Sequence, residues 1–277
     1  MKPLLYVLLS GFPLMCTSCA TSGPKHAEPR VRVIAHRGNS SEAPENTLAA
    51  FRQAAGMGID YVELDARPSA DGTLYVLHDK TLDRTTNAVR VIGRAKVAIR
   101  DLHDGQINEL DAGSWYDERY AGERVPTLAA ALDVIQARSK TLLEHKDGPA
   151  EAYARLLRDK RLVNKLIVQS FDWNFLADLH RLEPTQTLAA LGDKPLTDEK
   201  WAKLPATGAR IVAWAYKDLP AEQITRLHQH GYQVFAWTVD EPADWERLVS
   251  DGIDGIITNR PAALKAWLRK QAGRMKG

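Results

Sequence analysis

Apolar and polar positions along this chain follow two alternating rhythms. Short apolar runs, which read as strands, are separated by longer amphipathic stretches that read as helices. Strands are predicted at 31–35, 59–66, 141–144, 165–169, 186–191, 209–213, 232–238 and 253–258. Helices are predicted at 47–56, 127–138, 149–160, 172–182, 197–204, 220–230, 242–250 and 261–271. Local signals agree: the first helix starts near Asn46 and stops at Gly56-Met57-Gly58, and Thr127 and Asp172 stand at N-cap positions. Residues 80–126 break the rhythm. They are polar and turn-rich, carry Leu110-Asp111-Ala112-Gly113-Ser114-Trp115, and are predicted to be an insertion or lid rather than a second core. Eight strands, each followed by a helix or by inserted sequence, predict an α/β fold. Its parallel βα units would close into a TIM (β/α)8 barrel with a loop-rich insertion after the second strand. An open doubly wound sheet is the alternative, but no G-x-G-x-x-G or Walker motif opens a helix here.

Strand 59–66 carries the first candidate chemistry. Alternation puts Tyr61, Glu63 and Asp65 on one face and Val62 and Leu64 on the other. Two carboxylates side by side on a buried strand repel each other and are costly to desolvate. A divalent cation resolves that conflict, and Mg²⁺ and Ca²⁺ prefer oxygen ligands. Asp71-Gly72 signals a turn, and the apolar run from Leu74 to Leu77 brings His78-Asp79 back toward the pair. Alone, a Glu-x-Asp is more often a pair of solvated charges at a barrel or sheet edge than a metal site. The other strand ends, where a TIM barrel carries its active site, change the balance. They read His36-Arg37-Gly38, Glu144-His145-Lys146, Gln169-Ser170, Trp237-Thr238 and Thr258-Asn259. Glu144 adds a third carboxylate and shares a face with Lys146. His36 and His78 supply an acid and a base near neutral pH. Arg37 and Lys146 supply positive charge for an anionic group. A metal, two imidazoles and two cations together point to phosphate-ester hydrolysis.

Composition narrows the partners. With 37 Lys and Arg against 35 Asp and Glu, the formal charge is only +2, and no long basic run argues for nucleic acid. Both cysteines, Cys16 and Cys19, fall in the N-terminal segment, so the mature domain has no disulfide and must rely on its core. Residues 1–18 read as a signal peptide: Lys2, then an apolar run from Leu4 to Met15 broken by Gly11 and Pro13, then small residues. The run is too short and interrupted to span a membrane. Thr17-Ser18-Cys19 resembles a bacterial lipobox, which would make Cys19 the lipidated N-terminus, although Cys16 stands where Leu is usual. Ser18-Cys19-Ala20 also fits an ordinary cleavage site. Residues 19–30 read as a flexible tether, and 31–277 as the barrel domain. The expected location is outside the cytoplasm, periplasmic or membrane-anchored.

At these residues the chain resembles the glycerophosphodiester phosphodiesterase family. The matching motifs are Ala-His-Arg-Gly at 35–38, Pro-Glu-Asn-Thr at 44–47, Glu-Leu-Asp at 63–65, His-Asp at 78–79, Glu-His-Lys at 144–146 and Gly-Ile-Asp-Gly-Ile-Ile-Thr-Asn-Arg-Pro at 252–261. Leu-Asp-Ala-Gly-Ser-Trp at 110–115 and Val-Pro-Thr-Leu at 125–128 look like the family's insertion. The resemblance implies Glu63, Asp65 and Glu144 as ligands of one divalent cation, Mg²⁺ or Ca²⁺, and His36 and His78 as the acid/base pair, in an order the sequence leaves open. It implies that Arg37 and Lys146 hold the phosphate and that Trp237 lines the glycerol pocket. The implied reaction yields glycerol 3-phosphate and an alcohol from a small-molecule glycerophosphodiester, through a cyclic phosphate, in scavenging of lipid head groups. Contact with a membrane is expected only through the N-terminal anchor, and no protein partner is implied. A lysophospholipase D-type activity and a catalytically silent phosphate-ester-binding lipoprotein are the alternatives. Structural roles are expected for Gly38 and Gly255 as turns, Glu45 as the partner of a helix N-terminus or a nearby cation, Asn46 as an N-cap, Asp79 as an orienter of His78 or of an adjacent loop, and Asp254 as a fastener of the last strand. His145 is expected to face the helix layer.

Overall fold

The computed structural model describes Met1 and residues 31–274. Residues 2–30, which hold the rest of the predicted signal peptide and the tether, Cys19 included, lie outside the described residues. Val31 onward forms one compact unit. In chain order its elements are β1 (Arg32–Ala35), α1 (Leu48–Gly56), β2 (Tyr61–Pro68), β3 (Leu74–Val76), α2 (Ala88–Ile92), α3 (Asp104–Asn108) and α4 (Leu128–Gln136). There follow β4 (Lys140–His145), α5 (Ala150–Asp159), β5 (Ile167–Ser170), α6 (Trp173–Leu182), β6 (Thr187–Gly192) and α7 (Asp198–Lys203). The chain ends with β7 (Ile211–Ala215), α8 (Ala221–Gln229), β8 (Gln233–Trp237), α9 (Pro242–Ser250), β9 (Gly255–Thr258) and α10 (Pro261–Arg274).

The sheet runs β1-β9-β8-β7-β6-β5-β4-β2-β3, and pairing of β1 with β2 closes it. Eight parallel strands therefore form the barrel, and β3 is appended antiparallel to β2. The alternation predicted for the strands decides what each layer is made of. Ile34, Leu142, Ile167, Ile211, Phe235 and Ile257 fill the barrel interior. Their neighbours Val33, Val62, Leu64, Leu143, Val168 and Val212 pack outward under the helices. Thr47, Thr127, Asp172 and Thr197 cap their helices by accepting backbone N–H bonds, each worth about 1 kcal/mol. The first cap is Thr47 and not Asn46. Asn46 takes φ 59° and turns its amide into the barrel, where it meets Asp65.

The segment after β3 departs from the expectation of an insertion without a core. Leu77, Leu82, Val97, Ile107, Leu110 and Val125 bury one another with Tyr75 into a small cluster separate from the barrel's. Asp111 pins this segment. Burial opposes its charge, but the N–H groups of Gly122, Ser114 and Gly113 outweigh burial and hold the carboxyl down to about 2. Gly255 is not a turn: a Cβ there would lie 2.7 Å from the Phe235 ring, so the residue permits close strand packing. Gly38 does turn the chain, at φ 85°, and a Cβ on it would lie 2.7 Å from the Ala50 Cβ.

Candidate active site

The register β1–β2–β4 gathers the strand-end groups. Asp65 pairs with Glu144 across the sheet, and Glu63 sits two residues below on the same face. Glu63, Asp65 and Glu144 are buried, and each offers a carboxylate oxygen within 4.8 Å of the others. Arg37, at φ 56°, donates its backbone N–H to Glu63 Oε2 at 2.7 Å. Its guanidinium donates to Glu45 at 2.9 Å and lies 3.5 Å from Asp65 Oδ2. Lys146 Nζ donates to Glu144 Oε1 at 2.7 Å and stands 3.7 Å from Asp65 Oδ1. Asn46 Nδ2 donates to Asp65 Oδ2 at 2.8 Å.

The three carboxylates do not share one protonation preference. Burial, then Asp65 and Glu144, push Glu63 well up. Burial, then Asp65, push Glu144 up to about 7. Burial also opposes the charge of Asp65, but Arg37 and Lys146 outweigh it and hold the carboxyl down. Glu63 Oε1 and Asp65 Oδ1 are buried without a hydrogen-bond partner. Orphaned oxygens on mutually repelling carboxylates fit a hard divalent cation, which takes oxygen ligands and supplies the missing positive charge.

Two imidazoles flank this cluster. His36, where the chain leaves β1, is tied to β9 by its N–H to Thr258 O at 2.9 Å. Its Nδ1 meets Asn259 Oδ1 at 2.7 Å. The Asn259 amide nitrogen donates to Asp240 Oδ2 at 2.7 Å, so its oxygen must face His36, and His36 Nδ1 carries the proton. His36 is half-buried as a residue, and the protein packed around its ring, with Arg37 beside it, pushes the imidazole down to about 4. His78 Nδ1 meets Asp79 Oδ1 at 2.7 Å and is likewise the protonated nitrogen, since a carboxylate only accepts. Both histidines therefore have Nε2 unprotonated when neutral. Burial lowers His78 as well, opposed by Asp65 and by the Asp79 hydrogen bond.

The sequence reading missed three supports. Arg84, from the inserted segment, donates to Asp79 Oδ2 at 2.7 Å and Oδ1 at 3.1 Å, and to both oxygens of Glu45 at 2.8 Å. It thereby ties the partner of His78 to the partner of Arg37. Its hydrogen bonds to Glu45 and Asp79 raise it, and it in turn holds Asp79 down. Arg67, on the same face of β2 as Glu63 and Asp65, donates to the His78 carbonyl at 2.9 Å from Nη2. Asp240, through Asn259, fixes His36. Glu45 and Asp79 were the available clue, since each is a carboxylate beside the site in need of a cation.

Trp237 closes β8 half-buried, its Nε1 donating to Ala213 O at 3.2 Å. It meets Phe171 edge-on at 5.5 Å, and Phe171 is 46% exposed. His145 stacks on Phe175 at 3.5 Å and bonds Ser170 and Gly148, so it packs toward α6 and away from the carboxylates. Asp254 accepts the Val234 N–H at 2.7 Å. A cavity of about 690 Å³ between the loops after β6 and β7, lined by Pro195, Tyr216, Lys217 and Arg247, contains none of these carboxylates or imidazoles.

A sequence model of the glycerophosphoryl diester phosphodiesterase family matches residues 36–263. This chain belongs to that family. Among glycerophosphodiester phosphodiesterases it is 34% identical to that of Caldanaerobacter subterraneus over 86% of this chain and 98% of the relative. It is 33% identical to that of Bacillus subtilis over 93% and 94%. Among solved structures, an Oleispira antarctica phosphodiesterase in complex with the product sn-glycerol 3-phosphate superposes with a TM-score of 0.79 at 27% identity, covering 86% of this chain and 96% of that one. The glycerophosphodiester phosphodiesterase from Agrobacterium tumefaciens superposes with 0.74 at 30% identity, covering 86% and 100%. The family's activity, phosphodiester hydrolysis, is the activity of this chain, and the eight-stranded barrel is its scaffold.

Proposed function

We propose that this protein hydrolyses water-soluble glycerophosphodiesters to sn-glycerol 3-phosphate and an alcohol outside the cytoplasm. The observation that carries the reading is the pairing of a buried, partly orphaned carboxylate triad with two imidazoles whose Nδ1 atoms are both engaged. Glu63, Asp65 and Glu144 would hold one divalent cation, which supplies charge neutralisation for the phosphate oxygens and the attacking hydroxyl. Arg37 and Lys146 bind the phosphate's remaining oxygen charge. His36 is the base: Nε2 takes the proton of the glycerol 2-hydroxyl as that oxygen attacks phosphorus. His78, beside a carboxylate that favours its imidazolium, is the acid: Nε2–H gives its proton to the oxygen of the departing alcohol. A cyclic phosphate results. Water then opens it with the roles reversed, His78 taking the water proton and His36 returning one to the 2-oxygen. Trp237 and Phe171 form an aromatic shelf for the glycerol or alcohol portion.

The test is release of glycerol 3-phosphate from glycerophosphocholine with Mg²⁺, with Ca²⁺ and with chelator. Metal-dependent product is expected. A folded protein that releases none with either cation would contradict the reading. The exposed Phe171 favours a second substrate class, a lysophospholipid whose chain lies over the shelf. Choline release from lysophosphatidylcholine at a rate matching that from glycerophosphocholine would favour it. Cys19 is read as the lipidated N-terminus of the exported protein. Mass spectrometry of the membrane-extracted protein tests this, and an unmodified start at Thr21 would contradict it.

A further inference from the structure

The barrel has a second charged end. Arg32 and Lys140 open β1 and β4, and Arg138, Arg161, Lys165 and Arg210 lie in the loops that lead from helices into strands at the same end. Arg32 is half-buried and the other five are exposed. None of the six forms an ion pair among the described residues. Asp159, at the end of α5, is exposed at this end, and other carboxylates there are engaged: Glu183 with Arg158, Asp251 with Arg247 at 3.2 Å, Asp254 with His228 at 2.8 Å, and Asp60 with the Val33 N–H at 2.9 Å. The whole chain is close to neutral, so this excess is local. Arg32, Lys140 and Lys165 line a cavity of about 160 Å³ in the barrel floor, and no carboxylate lines it with them. Arg32 is held in place by Gln233 at 2.9 Å and by the Phe235 ring at 5.7 Å. Lys140 stands over the Tyr61 ring at 5.9 Å.

The same end receives the chain from its N-terminal segment. The eleven residues between Cys19 and Val31 reach at most about 40 Å when extended. An anchor on Cys19 therefore leaves the basic end within reach of the bilayer. We propose that the basic N-terminal end of the barrel docks on an anionic phospholipid surface and holds the catalytic end toward the aqueous phase. The orientation rests on the anchored reading of Cys19. Lys and Arg side chains near such a surface each change partition by about fivefold, and salt screens the effect. The docked enzyme takes substrate from solution, because its strands run away from the lipid toward the carboxylates.

The experiment uses residues 31–277, whose barrel closes on itself. Vesicles of phosphatidylcholine alone, and of phosphatidylcholine with phosphatidylglycerol at seven to three, are sedimented with the protein at low salt. Binding to the anionic vesicles alone, abolished at high salt, is expected. The triple variant Lys140→Gln, Arg161→Gln, Lys165→Gln should bind on the order of 100-fold more weakly. Removing three exposed cations from the inserted segment, Arg90→Gln, Arg94→Gln and Lys96→Gln, should leave binding nearly unchanged. Equal loss from both sets, absence of binding to the anionic vesicles, or displacement by inorganic phosphate beyond its ionic strength would overturn the proposal. Glycerophosphocholine hydrolysis in solution is measured alongside. The first triple variant should keep it, so a failure of docking and a failure of the catalytic reading are distinct results.

Discussion

The two sides of the active site hold their histidines by different means. On the β1/β9 side, His36 leans on the neutral amide of Asn259, which Asp240 prevents from flipping. On the β2/insertion side, His78 leans on the carboxylate of Asp79, which Arg84 clamps from the other face. Burial, and then Arg37, disfavour an imidazolium at His36 more than the Asn259 hydrogen bond favours one, so His36 stays uncharged with its Nε2 lone pair free. Burial lowers His78 as well, but Asp65 and the Asp79 carboxylate oppose it, and His78 is a third exposed. Both imidazoles are thus lowered, His78 against the opposition of two carboxylates, and the proposed division into base and acid rests on that difference. The strand side is stiff because it is part of the barrel. The loop side gains equivalent order from Arg84.

The largest effect should fall on both sides at once. Asp65→Asn leaves the cation site a ligand short, and chelation empties it. Either should lower turnover by about 10³-fold, the several kcal/mol expected of a metal acting on phosphate charge. A residual rate near wild type in chelator would remove the cation from the account. Arg84→Ala should act on the loop side, lowering kcat about 30-fold with a smaller change in KM. Lysine should restore it only in part, because a bidentate fork is lost. Wild-type kcat in that variant would show that Asp79 needs no clamp. Asn259→Ala should cost about tenfold on the strand side, where the barrel backbone still holds His36 in place; a loss larger than that of Arg84→Ala would invert the comparison.

Stability should also follow the carboxylates. In the cation-free protein Glu144 carries its proton up to about pH 7, and Glu63 is raised as well, while in the unfolded chain both release it near 4.5. That contribution is complete below the unfolded value and is lost as pH rises toward 7. A bound cation removes the loss. It should therefore raise Tm by about 5–8 °C at pH 8 under saturating conditions, and by less at pH 5. An equal shift at both values, followed by thermal unfolding, would separate metal binding from this triad. The smallest effect is assigned to Phe171→Ala, about threefold in KM for glycerophosphocholine. A larger change in kcat than in KM would place Phe171 nearer the reacting atoms.

Much of this was legible in the sequence because parallel barrels encode themselves locally. The alternation of strand and helix patterns gave eight staves, and the i, i+2 rule placed Glu63 with Asp65 and Glu144 with Lys146. Boundaries differ where a turn imitates a strand: the strand expected from Lys165 begins at Ile167, and the Lys165 N–H closes a turn on Leu162. Asn46 has a cap's chemistry, but its positive φ lets it serve Asp65 instead. The insertion's core escaped because Leu77, Leu82, Val97 and Ile107 follow no single period. The supports of the histidines escaped for another reason. Asn259 lies 223 residues from His36, and Arg84 lies 39 from Glu45, so only the closed barrel brings them together.

The most direct test of the division between the histidines is a change of leaving group. Choline is a poor leaving group that needs a proton, whereas p-nitrophenolate does not. Hydrolysis of glycerophosphocholine and of glycerol 3-phospho-p-nitrophenol would be compared for His36→Ala and His78→Ala, reading the first turnover, in which the alcohol departs. His78→Ala should lose about 10³-fold on the choline ester and recover most of that loss on the nitrophenyl ester. His36→Ala should be slow on both. Recovery by His36→Ala in place of His78→Ala would reverse the assignment, and equal losses on both esters in both variants would contradict it.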